Sequence, residues 1–304
     1  MRMFGFQQYG GPEVMEHLEQ EDPTPGPGQV LVQMTAAGVN PADIKVRNGL
    51  RTGRIPVRFP MALGREVAGV VLGTGPDVTG FAPGQRVFGA TAAGTGALAS
   101  HVLLDAAGTA RIPDGVAAEQ ACCIPVAAGT AYDALDELSL PAGATVLMLG
   151  AGGGVGTCVC GLARDRDLRV LGVASESKRD VVTGLGSVHV AKGPGWTDRV
   201  SDLAPEGVDA VIDAVGGQAL AEAAPLLRRV GALRSVADVP GAEALGGSGV
   251  IRRRTTAVFT EVAALVAAGR FAPVVTGRFP LADAERAVAA VETGHAAGKV
   301  VVLA

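Results

Sequence analysis

The stretch Val146–Gly156, VLMLGAGGGVG, constrains the fold of this chain more than any other segment. Four apolar residues stop at a glycine-rich turn, and small or apolar residues then recur at helical spacing. A strand, a tight glycine turn and a helix together direct backbone N–H groups and a helix N-terminus at a pyrophosphate. Glycines are needed because a Cβ would block both the turn and the approach of the phosphates. The segment therefore predicts a dinucleotide site.

The glycine spacing alone is a weak signal, because the chain has 44 glycines among its 304 residues. The strict pattern G-x-G-x-x-G is not met, since Ala151 occupies its first position. The looser pattern G-x-x-G-x-x-G is met by Gly150, Gly153 and Gly156. A tight strand–helix turn without a ligand is the alternative reading of this segment.

The segments that follow strengthen the dinucleotide reading. Strand-like runs occur at Arg169–Ala174, Val208–Val215 and Ala232–Ala237, and helical patterns separate them. Such alternation, with strands rich in Val, Ile and Leu, predicts a doubly wound parallel sheet. Ligands of such sheets bind at the carboxyl ends of the strands. The residues at those ends are Gly150, Ala174, Gly216 and Ala237.

The overall composition excludes several classes of protein. The chain is 48% hydrophobic and 18% charged, which is typical of a globular enzyme. A net charge of −4 without a basic block gives no electrostatic footprint for nucleic acid. No apolar run reaches the length of about 20 residues that spans a bilayer, and the N-terminus lacks the apolar core of a signal peptide. We expect a cytoplasmic protein whose four cysteines are reduced, buried thiols.

The remaining segments predict a second domain. Short apolar runs broken by Gly, Pro and Asp fill the first ~115 residues and indicate an antiparallel, barrel-like β domain. A helical stretch is expected over Val116–Leu138, and the C-terminal region predicts two helices, Ala257–Gly269 and Leu281–Glu292, before the strand Lys299–Leu303. The expected fold class is α/β. Residues 1–118 and 265–304 would form the β domain, with a nucleotide-binding domain inserted at 119–264.

Several motifs, read together, resemble one family. They are AAGVNPADIKVRNG, LGREVAGVV, GQRV, IPVAAGTAYDAL, LGAGGGVG, VIDAVGG and GHAAGKVVV. The chain resembles the zinc-independent quinone oxidoreductase and enoyl reductase branch of the medium-chain dehydrogenase/reductase superfamily, nearly from end to end. The resemblance implies a GroES-like β domain, a Rossmann doubly wound parallel-sheet domain and a homodimer.

No metal site is expected. A catalytic zinc ion needs three protein ligands, which are Cys and His residues in the zinc-dependent branch. The places that correspond to those ligands are Asn40 (or Val39), Arg65 and Val126, and none of these can act as a thiolate or imidazole ligand.

The end of the second strand indicates the nucleotide. Ala174 stands where NAD-selective relatives carry an acid that binds the ribose hydroxyls. A small residue there, followed by Ser175, Lys178 and Arg179, leaves room and charge for a 2′-phosphate and favours NADPH. Glu176 lies about 20 residues beyond the glycine turn, so that NAD remains the alternative.

The resemblance also implies the site residues. Asn40, Thr130 and Tyr132 are the predicted catalytic residues, and Asn40, Tyr132 and His101 are the candidate proton donors. Glu66 is a structural carboxylate near the cleft floor in this interpretation, with a catalytic role as the alternative. The predicted cofactor-binding residues are Asn40, Pro41, Asp43, Thr130, Gly150, Ala151, Gly153, Gly154, Val155, Gly156, Ser175, Lys178, Arg179, Val215, Gly216, Ala237 and Lys299.

The predicted function follows from the cofactor and from the missing metal ligands. We expect an NADPH-dependent, zinc-independent reductase that transfers hydride to a quinone or to an activated C=C bond of a small molecule. An NADPH-dependent carbonyl reductase of specialised metabolism and a non-catalytic NADPH-binding protein are the alternatives. Arg51 replaces an aromatic residue that many quinone reductases carry, which favours a polar or anionic substrate.

Overall fold

The structure is a computed structural model that describes residues 1–304 and consists of two compact units. The barrel unit comprises Met1–Val126, Arg254–Ala267 and Val275–Ala304. The parallel-sheet unit comprises Ala127–Arg253 and Ala268–Val274. These limits differ from the boundaries predicted at 118/119 and 264/265, because residues 119–126 and the helix after Arg254 group with the barrel.

The secondary structure follows the predicted alternation. The first part of the barrel unit contains β1 (Arg2–Phe6), β2 (Met15–Glu19), β3 (Gln29–Val39), α1 (Pro41–Arg47), β4 (Met61–Ala62), β5 (Glu66–Thr74), β6 (Arg86–Thr91), β7 (His101–Arg111) and α2 (Ala118–Ala121). The parallel-sheet unit contains α3 (Gly129–Leu138), β8 (Thr145–Leu149), α4 (Gly154–Asp165), β9 (Arg169–Ala174), α5 (Arg179–Gly184), β10 (Val188–Ala191), α6 (Trp196–Leu203), β11 (Ala210–Asp213), α7 (Gly217–Ala223), β12 (Leu233–Ser235), α8 (Val239–Ala244) and β13 (Ser248–Gly249). The last part of the barrel unit contains α9 (Thr256–Ala267), β14 (Val275–Pro280), α10 (Ala284–Glu292) and β15 (Lys299–Leu303).

The barrel unit is built on a six-stranded sheet in the order β14-β15-β3-β5-β6-β7. The long strand β3 also pairs with β7, which closes four of the strands into a barrel. A separate three-stranded sheet has the order β2-β1-β4. The register places Gly38 of β3 opposite Glu66 of β5, and Val39 opposite Val300 of β15. Three strands that are distant in sequence therefore meet at the end of β3.

The parallel-sheet unit has six strands in the order β10-β9-β8-β11-β12-β13, and every pair is parallel. All five residues of the central strand β8 are buried, as expected of a strand covered on both faces. The strand predicted at Arg169–Ala174 has the predicted bounds, whereas β11 and β12 are shorter than predicted at both ends. The α/β fold class with a Rossmann-type sheet is confirmed.

The helical stretch predicted over Val116–Leu138 is not one α-helix. It is divided into α2, a turn of π-helix at Ile124–Ala128, and α3. Pro125 has no N–H to donate, and its ring conflicts with regular α-helical hydrogen bonding at this point.

All four cysteines are free and buried, as predicted. No helix is both long enough and apolar enough to cross a bilayer.

Candidate functional site

The glycine turn between β8 and α4 is shaped by close backbone contacts. Gly150 has a φ of +82°, which favours glycine. A Cβ on Gly156 would lie 2.2 Å from the carbonyl oxygen of Gly150 and 2.6 Å from Cα of Ala151. The first turn of α4 therefore packs directly on the turn that precedes it, and this contact leaves no room for a side chain.

The start of α4 offers donors to an anion. Gly153 is the N-cap, and the N–H of Thr157 is the first that bonds to its carbonyl oxygen, at 2.9 Å. The N–H groups of residues 154–156 have no acceptor within the helix. Together with the positive end of the helix dipole, they form the donor set that a pyrophosphate requires.

The side chain of Lys178 crosses the glycine turn. A Cβ on Gly152 would lie 2.5 Å from Cδ of Lys178, so the lysine stem occupies the space above this glycine. Burial lowers the pKa of the Lys178 ammonium, and the nearby positive charge of Lys192 lowers it further. Lys178 and Lys192 therefore place two positive charges near the start of α4.

The carboxylate of Glu176 is neutralised within its own turn. Arg179 donates to both of its oxygens, through Nε to Oε1 and through Nη2 to Oε2 at 2.9 Å. The hydroxyls of Ser175 and Ser177 lie 3.1 Å apart at the end of β9. The predicted contact of Arg179 with the cofactor stays a prediction, because its guanidinium already holds this carboxylate.

A buried carboxylate that the sequence reading missed organises the loops after β11 and β12. Oδ1 of Asp213 accepts the N–H groups of Val215 and Gly216 at 2.8 and 2.9 Å. Its Oδ2 accepts the hydroxyl of Ser235 at 2.6 Å, and that hydroxyl oxygen accepts the N–H of Ala237 at 3.2 Å. The network leaves the side chain of Val215 57% exposed beside the turn. The sequence feature that could have identified Asp213 is an acidic residue at the end of an apolar strand.

The barrel unit contains a second buried polar cluster, formed by Lys299, Glu66 and Asn40. The ammonium of Lys299, 2% exposed, donates to Oε1 of Glu66 at 2.7 Å and to Oδ1 of Asn40 at 2.6 Å. Its third proton goes to the carbonyl oxygen of Val39 at 3.1 Å. Burial is the largest single effect and lowers the pKa of Lys299, but the charge and hydrogen bond of Glu66, together with Cys122 and Cys123, outweigh it and raise that pKa.

The remaining acceptors and donors of this cluster are also used. The amide nitrogen of Asn40 donates to Oε1 of Glu66 at 2.9 Å, and the N–H of Val126 donates to Oε2 at 2.8 Å. A Cβ on Gly38 would lie 2.2 Å from Oε1 of Glu66, so this glycine makes room for the carboxylate. Glu66 is therefore a fully bonded structural anion, as the first of the two sequence readings held. The cofactor role predicted for Lys299 stays a prediction, since its three protons already have acceptors.

Pro41 and Asp43, in the first turn of α1, complete this end of the barrel unit. Pro41 is the first residue of the helix, where a missing N–H costs nothing. Asp43 is buried and accepts the backbone N–H of Asn40 on Oδ2 at 2.8 Å.

Other predicted residues lie in different surroundings. Thr130 is buried in the first turn of α3. The ring of Tyr132 packs against the guanidinium groups of Arg166 and Arg253, at 5.0 and 5.8 Å from its centroid. Arg166 caps the C-terminal end of α4, opposite to the glycine turn, so the surroundings of Tyr132 give its catalytic role no support. Nδ1 of His101 lies 2.7 Å from the carboxylate of Asp22.

The chain does not have the donor set of a zinc site. Asn40 bonds to Lys299 and Glu66, and the other two places that correspond to zinc ligands hold an arginine and a valine. A guanidinium and an aliphatic side chain cannot bind Zn²⁺. No three His, Cys, Asp or Glu side chains lie close enough together to hold a metal ion.

Two family models match the chain. The alcohol dehydrogenase GroES-like domain matches residues 26–122, and the zinc-binding dehydrogenase domain matches residues 185–302. The second description names a metal that the ligand positions of this chain cannot bind.

Known proteins are similar over nearly the whole chain. Erythronolide synthase EryA2 of Saccharopolyspora erythraea is 34% identical over 291 residues, which cover 90% of this chain but 8% of the synthase. The chloroplastic quinone oxidoreductase QR1 of Triphysaria versicolor is 29% identical and covers 99% of this chain and 98% of its own. A mycobacterial protein solved in complex with NADPH is 30% identical over 100% of both chains, with a TM-score of 0.88. The chain thus spans a small part of the synthase and the full length of the other two.

We predict that Gly156→Ala weakens nucleotide binding. Its Cβ would overlap the backbone of Gly150 and Ala151, and relieving the overlap moves the helix start. The expected destabilisation is about 1–3 kcal/mol, with a rise of about tenfold or more in the Kd of NADPH, measured by fluorescence titration. Gly184→Ala is the matched control, because nothing lies within 4 Å of its Cβ. NADPH binding by Gly156→Ala at the wild-type Kd would contradict this account.

We predict that Lys299→Met lowers the free energy of unfolding by about 3–5 kcal/mol, because it leaves Glu66 charged and buried without its cation. Chemical denaturation measures the change. The double variant Glu66→Gln/Lys299→Met should recover part of the loss. As a control, Arg228→Met breaks an exposed pair with Asp209 and should cost less than about 1 kcal/mol. Equal losses for the buried and exposed pairs would refute the buried-charge argument.

Proposed function

Because the chain belongs to the quinone oxidoreductase and enoyl reductase branch of the medium-chain dehydrogenase/reductase superfamily, we propose that it is an NADPH-dependent, zinc-independent reductase of quinones or of activated C=C bonds. It is an oxidoreductase, as its relatives are. Its preference for NADPH over NADH and its quinone or enone acceptor are our proposals. The homodimer and the cytoplasmic location stay predictions from the sequence.

The observation that carries the proposal is the glycine turn with the open start of α4. Its backbone contacts exclude a side chain at Gly156, and its first N–H groups have no intrahelical acceptor. These features suit a pyrophosphate, which would place a dinucleotide along the carboxyl ends of β8, β9 and β11. When bound there, NADPH would supply a hydride, which carries two electrons.

The choice of NADPH rests on the charges beside the turn. A 2′-phosphate needs cations and hydroxyls, whereas a ribose 2′-hydroxyl needs a free carboxylate. Lys178 and Lys192 supply the cations, and Ser175 supplies a hydroxyl. Glu176, the acid that follows the end of β9, is already paired with Arg179, so it is poorly placed to bind ribose hydroxyls.

The choice of acceptor rests on the three places that correspond to zinc ligands, where Asn40, Arg65 and Val126 cannot bind the metal. Without a Lewis acid, the negative charge that hydride addition creates must be delocalised in the product or neutralised by a proton. Quinones and enones delocalise that charge over a conjugated system. A simple aldehyde does not, so a carbonyl reductase of specialised metabolism is the second candidate. The similarity to a polyketide synthase is the observation that keeps it open.

The test is the loss of NADPH absorbance with a panel of quinones, enones and aldehydes. Turnover of quinones or enones supports the proposal, and turnover of aldehydes alone identifies the carbonyl reductase. NADPH binding without turnover of any of them would leave a non-catalytic binding protein and overturn the proposal. Gly156→Ala serves as the variant with an impaired nucleotide site.

We predict that Lys178→Ala raises the KM for NADPH by about tenfold or more, because one charged partner of the 2′-phosphate is lost. The KM for NADH, which lacks that phosphate, should change by less than about twofold. Steady-state kinetics with both nucleotides measures the ratio, and Lys45→Ala on α1 is the control lysine. Equal changes for both nucleotides would contradict the assignment of the phosphate to Lys178.

A further inference from the structure

The barrel unit encloses a cavity of about 190 Å³ whose wall includes Asp43. Its apolar side is formed by residues such as Val46, Ile55 and Leu63. Its charged lining consists of Asp43, Arg54, Arg65 and Asp105. The cavity therefore combines an apolar surface with cations and carboxyls, as a pocket for a polar conjugated molecule would.

Asp43 is the unusual member of this wall. It is 1% exposed, and Oδ2 accepts the backbone N–H of Asn40 at 2.8 Å. Oδ1 is buried and has no hydrogen-bond partner. A buried carboxylate oxygen without a donor is costly when charged, whereas a protonated carboxyl is far less so.

The charges around Asp43 act in both directions. Burial, the largest effect, and the negative charge of Glu66 raise the pKa of the Asp43 carboxyl. The hydrogen bond from the backbone N–H of Asn40 and the positive charges of Arg65 and Lys299 lower it, and the net result is a pKa of about 6. Lys299 on β15 is committed to Glu66, and Arg54 and Asp105 face the same cavity from the loop after α1 and from β7. A carboxyl that titrates near neutrality can both hold and release a proton under working conditions.

The other groups of the cluster cannot serve in this way. Both oxygens of Glu66 accept hydrogen bonds, and all three protons of Lys299 have acceptors. The amide of Asn40 uses its oxygen and its nitrogen within the same cluster. Asp43, which bonds to the backbone N–H of Asn40 beside this cluster, is the carboxyl there that retains an unused oxygen.

We propose that Asp43 is the proton donor for reduction of an activated C=C bond, with the substrate's conjugated carbonyl system lying in the cavity that Asp43 lines. This inference rests on the proposed reductase function. Hydride adds to the β-carbon, and the C=C electron pair moves to form an enolate. The α-carbon of the enolate then takes the proton of the Asp43 carboxyl, the O–H bond breaks, and Asp43 becomes a carboxylate. The Asp43 carboxylate then takes up a proton from the solvent, so that each turnover consumes one NADPH and one proton.

The experiment compares wild type with Asp43→Asn on an enone over pH 5.5 to 8.5. Asparagine keeps an oxygen that accepts the Asn40 N–H, but it cannot deliver a proton. At pH 6 we expect kcat/KM to fall by about 100-fold or more. Wild-type kcat/KM should fall above pH 6, because the donor must be protonated, and this limb should disappear in the variant. Asp105→Asn, which alters the other carboxyl of the cavity wall, should keep the limb.

The outcomes separate the two proposals. A wild type that reduces no enone overturns the reductase function on enones, and with it the proton donor. An active wild type with an equally active, equally pH-dependent Asp43→Asn overturns only the role of Asp43. Thermal unfolding shows whether the variant folds, and Asp43→Glu, which retains a carboxyl, should restore part of the rate.

A measurement on the wild-type protein without substrate or cofactor completes the test should Asp43→Asn fail to fold. In protein labelled with ¹³C at the aspartate carboxyl carbons, we expect one buried aspartate to titrate near pH 6 by NMR. If no aspartate titrates above about pH 5, Asp43 is not a proton carrier near neutral pH, and the proposal is overturned.

Discussion

The buried ion pair between Lys299 and Glu66 is the interaction on which the barrel unit depends. The two residues are separated by 233 positions in the sequence, and their 2.7 Å contact joins β15 to β5. A buried pair repays the cost of removing two charges from water only when further hydrogen bonds satisfy them. Asn40, the carbonyl of Val39 and the N–H of Val126 supply those bonds. The pair therefore fixes the end of β3, the start of α1 and the segment after α2 in one arrangement.

A buried carboxylate has the same organising part in the parallel-sheet unit. Asp213 receives two backbone N–H groups and one hydroxyl, which fix the loops that follow β11 and β12. It needs no cation, because three donors can hold a charged carboxylate in a buried place. Each unit thus uses one fully bonded acid to set the backbone around the residues proposed to act on a ligand.

Local features of the sequence predicted local structure well. The glycine turn, the strand Arg169–Ala174 and the strand Lys299–Leu303 were all readable from spacing and apolar runs, and the structure confirms them. The break at Pro125 was visible in the sequence but was read as part of a longer helix. The ion pair of Lys299 could not be predicted, because its partner Glu66 lies 233 positions away in the sequence. The residues around Lys299 do not indicate which strand will lie beside it. The stem of Lys178 over Gly152 is likewise set by tertiary packing.

Asp43 shows the same difference between local sequence and tertiary environment. Its motif indicated a contact with the cofactor, whereas its surroundings favour proton donation. A capping residue at the third position of a helix commonly uses both oxygens on backbone donors or water. Here the barrel buries the residue, and Lys299 turns toward Glu66, so that one oxygen of Asp43 is left without a donor. The Lys299–Glu66 pair thus has two effects: it balances one buried charge, and it commits the protons of Lys299 to acceptors other than Asp43. An acid kept in this state holds its proton more readily than a paired one, which suits the reduction of acceptors that a metal ion does not activate.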